Sequence, residues 1–323
     1  MTTKEKLVQM LENSSGEFTS GNRIAESLGI TRAAIWKNIR QLETEGYIIE
    51  AVTGKGYRLS DENDVITEDL VRRCLKEYEG LFQMEVHQKI SSTNSVLKEK
   101  ASEVPDWYTV IAGSQTSGRG RRSRSFYSPE GTGVYLSMLV RLPLSAQEST
   151  RITTAAAVAA CRVIEEETDA RPMIKWVNDV YIEGRKICGI LTEASVSMES
   201  GGLDWAVMGI GINVYEPKGG FPQEISRIAG AIMDHRQRNL RSRIAAGFMK
   251  HFYLICSDLM NRSLIGEYRK RSFLIGQTIY VIKQDTRIPA VAEEIDDECR
   301  LIVRYANGGT EILSSGEVSI KPV

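Results

Sequence analysis

At the start of the chain apolar residues recur every three or four positions: Leu7, Val8 and Leu11, then Ile24, Ala25 and Leu28, then Ile35, Ile39 and Leu42. That spacing predicts three short helices, each with one buried face. Gly29 is placed to close the second and Thr31 to cap the third. The pattern then changes to strands. Tyr47-Ile48-Ile49-Glu50-Ala51-Val52 and Tyr57-Arg58-Leu59 flank Thr53-Gly54-Lys55-Gly56, which predicts a hairpin with a basic glycine turn. Ser60-Asp61-Glu62-Asn63-Asp64 reads as a polar linker.

Beyond the linker, strand and helix patterns alternate. Glu85–Ile90, Trp107–Ala112, Val134–Leu142, Ile187–Glu193 and Trp205–Gly211 read as strands, and Asn94–Ala101 and the alanine-rich Thr153–Glu166 as helices. Five short β runs close the chain: Gln277–Ile282, Ala290–Ile295, Leu301–Tyr305, Thr310–Leu313 and Val318–Ile320. Asp296-Asp297 and Asn307-Gly308-Gly309 supply turns between them, as expected for a small β-barrel. A multidomain α+β protein is therefore expected, with a helical unit and hairpin at 1–64, an α/β domain at 65–273 and a small β domain at 274–323.

Composition excludes several classes. The 323 residues are 42% hydrophobic and 26% charged, ordinary for a soluble globular protein. No run approaches the roughly eighteen apolar residues of a membrane span. Met1-Thr2-Thr3-Lys4-Glu5 leads into an amphipathic helix and not into a secretory signal, so a cytoplasmic location is expected. Cys74, Cys161, Cys188, Cys256 and Cys299 are odd in number and mostly set in apolar runs, which fits reduced core thiols. His87, His235 and His251 make no ligand-spaced pair, and no protein-bound metal is expected.

With a formal net charge of −1, local clusters of charge carry the information. Residues 1–60 hold eight basic and seven acidic side chains, but Arg32, Lys37 and Arg40 gather on the third helix and Lys55 on the hairpin turn. Two short helices joined by Gly29-Ile30-Thr31, followed by such a hairpin, resemble a winged helix-turn-helix. Its groove and phosphate contacts fall at those four residues, so DNA binding is expected. The small local excess of charge favours two subunits acting together. The plainer alternative is a helical protein-interaction module with a charged surface.

Gly118-Arg119-Gly120-Arg121-Arg122-Ser123-Arg124 sets four arginines between two predicted strands. Guanidinium forks match phosphate and carboxylate geometry, and loops between strands carry ligand-gripping residues. A solvated basic loop or an RNA-binding tract is the alternative. Three further features share the domain. Ser91-Ser92-Thr93-Asn94 lies at a strand-to-helix junction, where it serves either as a plain N-cap or as a holder of a small polar ligand. Lys175-Trp176-Val177-Asn178-Asp179 and Gly184-Arg185-Lys186-Ile187-Cys188-Gly189-Ile190-Leu191-Thr192-Glu193 read as a hairpin, with lysines and an Asn-Asp pair suited to a phosphate and its cation. Gly209-Ile210-Gly211-Ile212-Asn213-Val214 is an apolar strand ending in one amide, weak evidence alone.

Together these runs, with Ser128-Pro129-Glu130-Gly131, resemble those of biotin–protein ligases. Thr31-Arg32-Ala33-Ala34-Ile35-Trp36-Lys37, Gly54-Lys55-Gly56-Tyr57 and the final small barrel extend the resemblance to essentially the whole chain. It points to the bifunctional type, ligase and biotin operon repressor in one polypeptide. The resemblance implies a catalytic domain like that of class II aminoacyl-tRNA synthetases and an SH3-like final barrel. It also implies a two-step reaction: biotin and ATP form biotinyl-5′-AMP, and a lysine of a biotin carboxyl carrier protein then takes the biotinyl group. Magnesium would ride on the nucleotide phosphates. No protein nucleophile is required, in keeping with the absence of a recognisable triad.

By position, the resemblance assigns biotin contacts to Ser92, Thr93, Asn94, Gln115, Arg119, Gly120, Arg121 and Lys186, with Arg121 and Lys186 as the catalytic cations. Arg124, Phe126, Asn178, Asp179 and Asn213 fall on the nucleotide side. Three residues depart from the family pattern: Ser123 for a glycine, Phe126 for a tryptophan and Val177 for a proline. Ser123 is expected to stiffen the loop, Phe126 to keep a smaller stacking face, and Val177 to leave Asn178 and Asp179 usable. The adenylate is expected to double as corepressor, favouring a homodimer on two-fold operator DNA. The competing readings are a biotin sensor without turnover and a lipoate-type acyl ligase.

Overall fold

The computed structural model describes residues 2–14, 16–197, 201–283, 286–314 and 316–320. They divide into two compact units, 1–66 with 235–242, and 67–234 with 243–323.

In the first unit, α1 (Thr3–Asn13) opens on a capping box in which Thr2 and Glu5 satisfy each other's backbone N–H. Ser20 caps α2 (Gly21–Leu28), and Gly29 ends it in the left-handed region. Thr31 accepts from the Ala34 N–H to start α3 (Arg32–Thr44). The predicted apolar stripes converge: Leu7, Leu11, Ile24, Ile35, Ile39 and Leu42 form one core, joined by Leu59. β1 (Ile49–Val52) and β2 (Gly56–Leu59) make the wing hairpin, with Val52 opposite Gly56. Segment 235–242, which the sequence pattern placed with the central region, belongs to this unit. There Arg241 is buried against Asp64, its Nε 3.1 Å from Oδ2 and its backbone N–H donating to Oδ1 at 3.0 Å.

The second unit is built on a seven-stranded sheet of order β3-β4-β5-β9-β8-β7-β6. Its strands are β3 (Met84–His87), β4 (Thr109–Ala112), β5 (Gly133–Val140), β6 (Met173–Lys175), β7 (Asp179–Ile182), β8 (Arg185–Val196) and β9 (Leu203–Asn213). Only β3 and β4 pair in parallel, across the crossover helix α5 (Thr93–Lys100), so the alternation read as α/β is a largely antiparallel mixed sheet. Short connections explain this: β6, β7, β8 and β9 follow one another as hairpins, which only antiparallel strands allow.

α6 (Thr150–Glu167) packs on β7, β8 and β9 and is buried nearly all round, as its alanines require. The sequence pattern did not single out α4 (Glu68–Leu75), α7 (Leu240–Cys256) or α8 (Arg262–Arg271).

The final strands are β10 (Thr278–Lys283), β11 (Thr286–Ile295), β12 (Leu301–Tyr305), β13 (Thr310–Leu313) and β14 (Glu317–Ile320). They form an antiparallel sheet of order β13-β12-β11-β10-β14, a small all-β domain. It is tied to the rest of the unit by Trp176 Nε1 donating to the Cys299 carbonyl at 2.9 Å and Arg151 donating to the Asp297 carbonyl at 2.9 Å. No helix among the described residues is long and apolar enough to cross a membrane. Cys161, Cys188, Cys256 and Cys299 are buried free thiols, and burial pushes the Cys161 thiol up to about 12, far from reactive.

Candidate active site and nucleic-acid face

A cavity of about 420 Å³ opens at one end of the large sheet. All of the biotin-side and nucleotide-side residues singled out from the sequence line it, although they come from 122 positions of chain, Ser92 to Asn213. The start of α5, the arginine loop, the β6–β8 hairpins and β9 form most of its wall. Ile282, Arg287, Val318 and Ser319 of the final domain complete it.

One half of the cavity is a neutral polar network. Ser92 caps α5, accepting from the Ser95 N–H. The free N–H groups expected at this helix start are already used in part, since the Thr93 N–H donates to Gln115 Oε1 at 2.9 Å. Gln115 Nε2 in turn donates to Ser128 Oγ at 2.9 Å. Asn94 is buried with both ends of its amide engaged. Ser137 Oγ donates to its Oδ1 at 2.6 Å, and its Nδ2 donates to Glu193 Oε2 at 3.1 Å and to the Leu191 carbonyl. Asn94 therefore orients its neighbours as much as it faces the cavity. Buried polar groups need such partners, and here the partners are one another.

The Gly-x-Gly of β9 makes room for this arrangement. A β-carbon on Gly209 would lie 1.7 Å from Asn94 Oδ1, and one on Gly211 would lie 2.3 Å from the Phe126 ring. Phe126 thus rests directly on the sheet, edge-to-face with Tyr135 at 6.4 Å.

The other half is cationic, and three of its cations have preset partners. Arg119 Nη1 lies 3.2 Å from Glu193 Oε1, Arg121 Nη1 donates to Asn178 Oδ1 at 3.1 Å, and Lys186 Nζ is 2.7 Å from Asp179 Oδ1. Glu193 also takes Lys98 Nζ at 2.8 Å. Burial pushes the Glu193 carboxyl up, but hydrogen bonds from Lys98 and Asn94 and the charges of Lys98 and Arg119 outweigh it and hold it below the usual carboxylate range.

The loop's base is a small backbone ladder. Gln115 N–H donates to Ser128 O, Phe126 N–H to Gly118 O and Gly120 N–H to Arg124 O. At the tip Arg122 and Ser123 both have positive φ, 54° and 59°, so Ser123 occupies a conformation that favours glycine. Asn213, expected on the nucleotide side, gives its Nδ2 to the Gly230 carbonyl at 3.0 Å. It fixes the 225–230 segment, which also pairs with the Lys186 backbone.

Ser137, Glu193, Lys98 and Ser128 were not assigned as site residues from the sequence. Ser137 carried one usable signal, a lone hydroxyl inside an apolar strand that must find a partner when buried. Glu193 ended a recognised run and looked like its boundary.

In the first unit Arg32, Lys37 and Arg40 project from α3 and Lys55 from the wing turn, all exposed. Arg32 Nε donates to Asn22 Oδ1 at 3.0 Å, Arg40 pairs with Glu43 at 3.0 Å, and Lys55 Nζ lies 5.9 Å from the Phe18 ring centroid. Arg32 and Lys55 border one cleft between the start of α3 and the wing.

Comparison with known proteins places these features in one family. Residues 3–58 match an HTH domain, 86–213 the biotin/lipoate A/B protein ligase family and 274–321 the biotin protein ligase C-terminal domain. The bifunctional ligase/repressor BirA of Bacillus spizizenii is 36% identical over 324 residues, covering 97% of this chain and 98% of its own. That of Escherichia coli is 28% identical, covering 99% and 98%. The solved biotin protein ligase of Aquifex aeolicus in complex with biotin and ATP aligns with a TM-score of 0.61 at 23% identity, over 75% of this chain and 99% of that one, a likeness of fold. Three matched domains, and more than a third of positions shared with a relative along nearly the full length of both, show that the chain belongs to the bifunctional biotin protein ligase and repressor family.

Proposed function

We propose that this protein activates biotin with ATP, transfers the biotinyl group to a lysine of a biotin carboxyl carrier protein, and represses transcription when its adenylate accumulates. The observation that carries the ligase half is the meeting of Arg119, Arg121 and Lys186 with the neutral Ser92–Asn94–Gln115 network in one cavity. The uncharged half suits the biotin ring system, and the cations suit a carboxylate and a polyphosphate brought together. In the first step a carboxylate oxygen bonds to the α-phosphorus and the bond to the β-phosphate oxygen breaks, releasing pyrophosphate. Two anions must approach, so Arg121 and Lys186 screen their repulsion and stabilise the charge that develops. Exchange of their present partners, Asn178 and Asp179, for ligand oxygens keeps these cations paired throughout.

In the second step the acceptor lysine's amine attacks the acyl carbon and AMP leaves with the anhydride oxygen. Magnesium would ride on the nucleotide phosphates and supply further charge neutralisation there. Arg32, Lys37, Arg40 and Lys55 support operator binding, and the small net charge of residues 1–60 favours a homodimer formed with the adenylate bound.

Intact mass of an apo acceptor domain after incubation with the protein, ATP, magnesium and equimolar biotin and lipoate tests the ligase. A single biotinyl gain is expected; a lipoyl gain or none overturns that assignment. For the repressor, operator affinity is expected to rise when biotin and ATP are present, and equal affinity with and without them overturns the corepressor reading.

A further inference from the structure

The outward face of α3 carries Ala33, Trp36, Lys37 and Arg40 at helical spacing, all four exposed, while Ile35, Ile39 and Leu42 fill the core behind it. Trp36 is 57% exposed. Leaving an indole in water forgoes a large hydrophobic gain. The Arg40 guanidinium sits 5.4 Å from the Trp36 ring centroid and is also held by Glu43 at 3.0 Å, so ring and cation are presented together. The face therefore combines an apolar centre, Ala33 and Trp36, with cations at Lys37 and Arg40, the latter paired with Glu43 one turn further on, and Arg32 and Lys55 border the cleft beside it.

That combination fits one occupant, the major groove of duplex DNA. Phosphates line its edges, and its floor offers one apolar group, the C5-methyl of thymine, which the minor groove lacks. We propose that Trp36, with Ala33 beside it, reads thymine methyl groups in each operator half-site, and that Lys37 and Arg40 hold the helix in register. This rests on the DNA-binding reading and adds the base and the atom recognised. An indole contact discriminates thymine from uracil, which pairs identically and lacks only the methyl.

The test begins with the full-length protein, biotin and ATP, selecting from a random duplex library. The enriched duplex is resynthesised with deoxyuridine for thymidine at one symmetry-related pair of positions at a time. Binding of the wild type, W36A and W36F is then measured at fixed salt. Uracil at one symmetry-related pair of positions is expected to weaken wild-type binding roughly fivefold or more. W36A should bind the thymine and uracil duplexes alike, with W36F between. Lys37→Gln should weaken every duplex by a similar factor, the signature of a phosphate contact. A uracil penalty that persists undiminished in W36A, or no position sensitive to uracil, overturns the inference while leaving DNA binding intact. Failure to enrich any sequence overturns the DNA-binding reading, and this inference with it.

Discussion

A β-carbon at Gly209 would lie 1.7 Å from Asn94 Oδ1, so strand β9 meets the start of helix α5 at a distance only glycine allows. Asn94 cannot retreat, because its oxygen accepts from Ser137 and its nitrogen donates to Glu193 and Leu191. Gly209→Ala is therefore expected to displace the Asn94 amide and break that network, costing about 1–3 kcal/mol of stability. Biotin affinity should fall more than tenfold, roughly the effect of losing one buried hydrogen-bonded group. Calorimetric titration with biotin, beside a thermal melt, checks this, and unchanged biotin affinity in a folded variant would refute it.

Glu193 joins the two halves of the cavity, binding Asn94 on one side and Arg119 and Lys98 on the other. Glu193→Gln should free Arg119 and speed tryptic cleavage within 119–124 severalfold, with biotin restoring protection. The carboxyl's folded pKa lies below its ordinary value of 4.5, so its stabilisation is complete above that value and lost as pH falls through the lower folded one. The stability difference between wild type and variant is thus expected to be constant above about pH 5 and to narrow below it. A gap that widens on acidification would show that the carboxyl is not held by these cations.

The candidate site residues were visible in the sequence because each sits in a local run: Ser92 to Asn94, the arginine loop, Asn178 with Asp179, and Lys186. The residues that hold them were not. Ser137, Lys98 and Glu193 act across 43 to 99 positions of chain, and no periodicity encodes such a pairing. The Gly-x-Gly of β9 looked weak because its purpose lies in what approaches it, Asn94 and Phe126, and not in its own backbone. Strand and helix patterns located most elements to within a few residues. They missed the antiparallel character of the sheet, which follows from hairpin connections between β6 and β9, and the contribution of Ile282 and Val318 to the cavity wall.

Asp64 and Arg241 form a buried ion pair in the first unit, with side chains 0% and 6% exposed. Removing one partner strands a buried charge. Asp64→Ala or Arg241→Met should cost about 3–5 kcal/mol, whereas replacing both by apolar residues of similar volume should recover most of that loss. Denaturant unfolding of the single and double variants decides it, and strictly additive losses would contradict it.

Lys186 and Asp179 give a test of the chemistry itself. They lie 2.7 Å apart on the cavity wall, Lys186 29% and Asp179 19% exposed, so each largely neutralises the other. Lys186→Met removes the cation and leaves an uncompensated carboxylate facing two incoming anions. Pyrophosphate release in a single turnover should fall by about 10²–10³, the scale of losing one preorganised charge in an active site. Part of that loss comes from the stranded Asp179. Lys186→Met combined with Asp179→Asn should therefore be no slower than Lys186→Met alone, and the two changes should be markedly non-additive. Biotin binding without ATP separates this from a binding defect, since it should change far less than the rate. Multiplicative losses in the double variant would mean that Asp179 acts on the nucleotide independently of Lys186, and that the pair is a coincidence of packing.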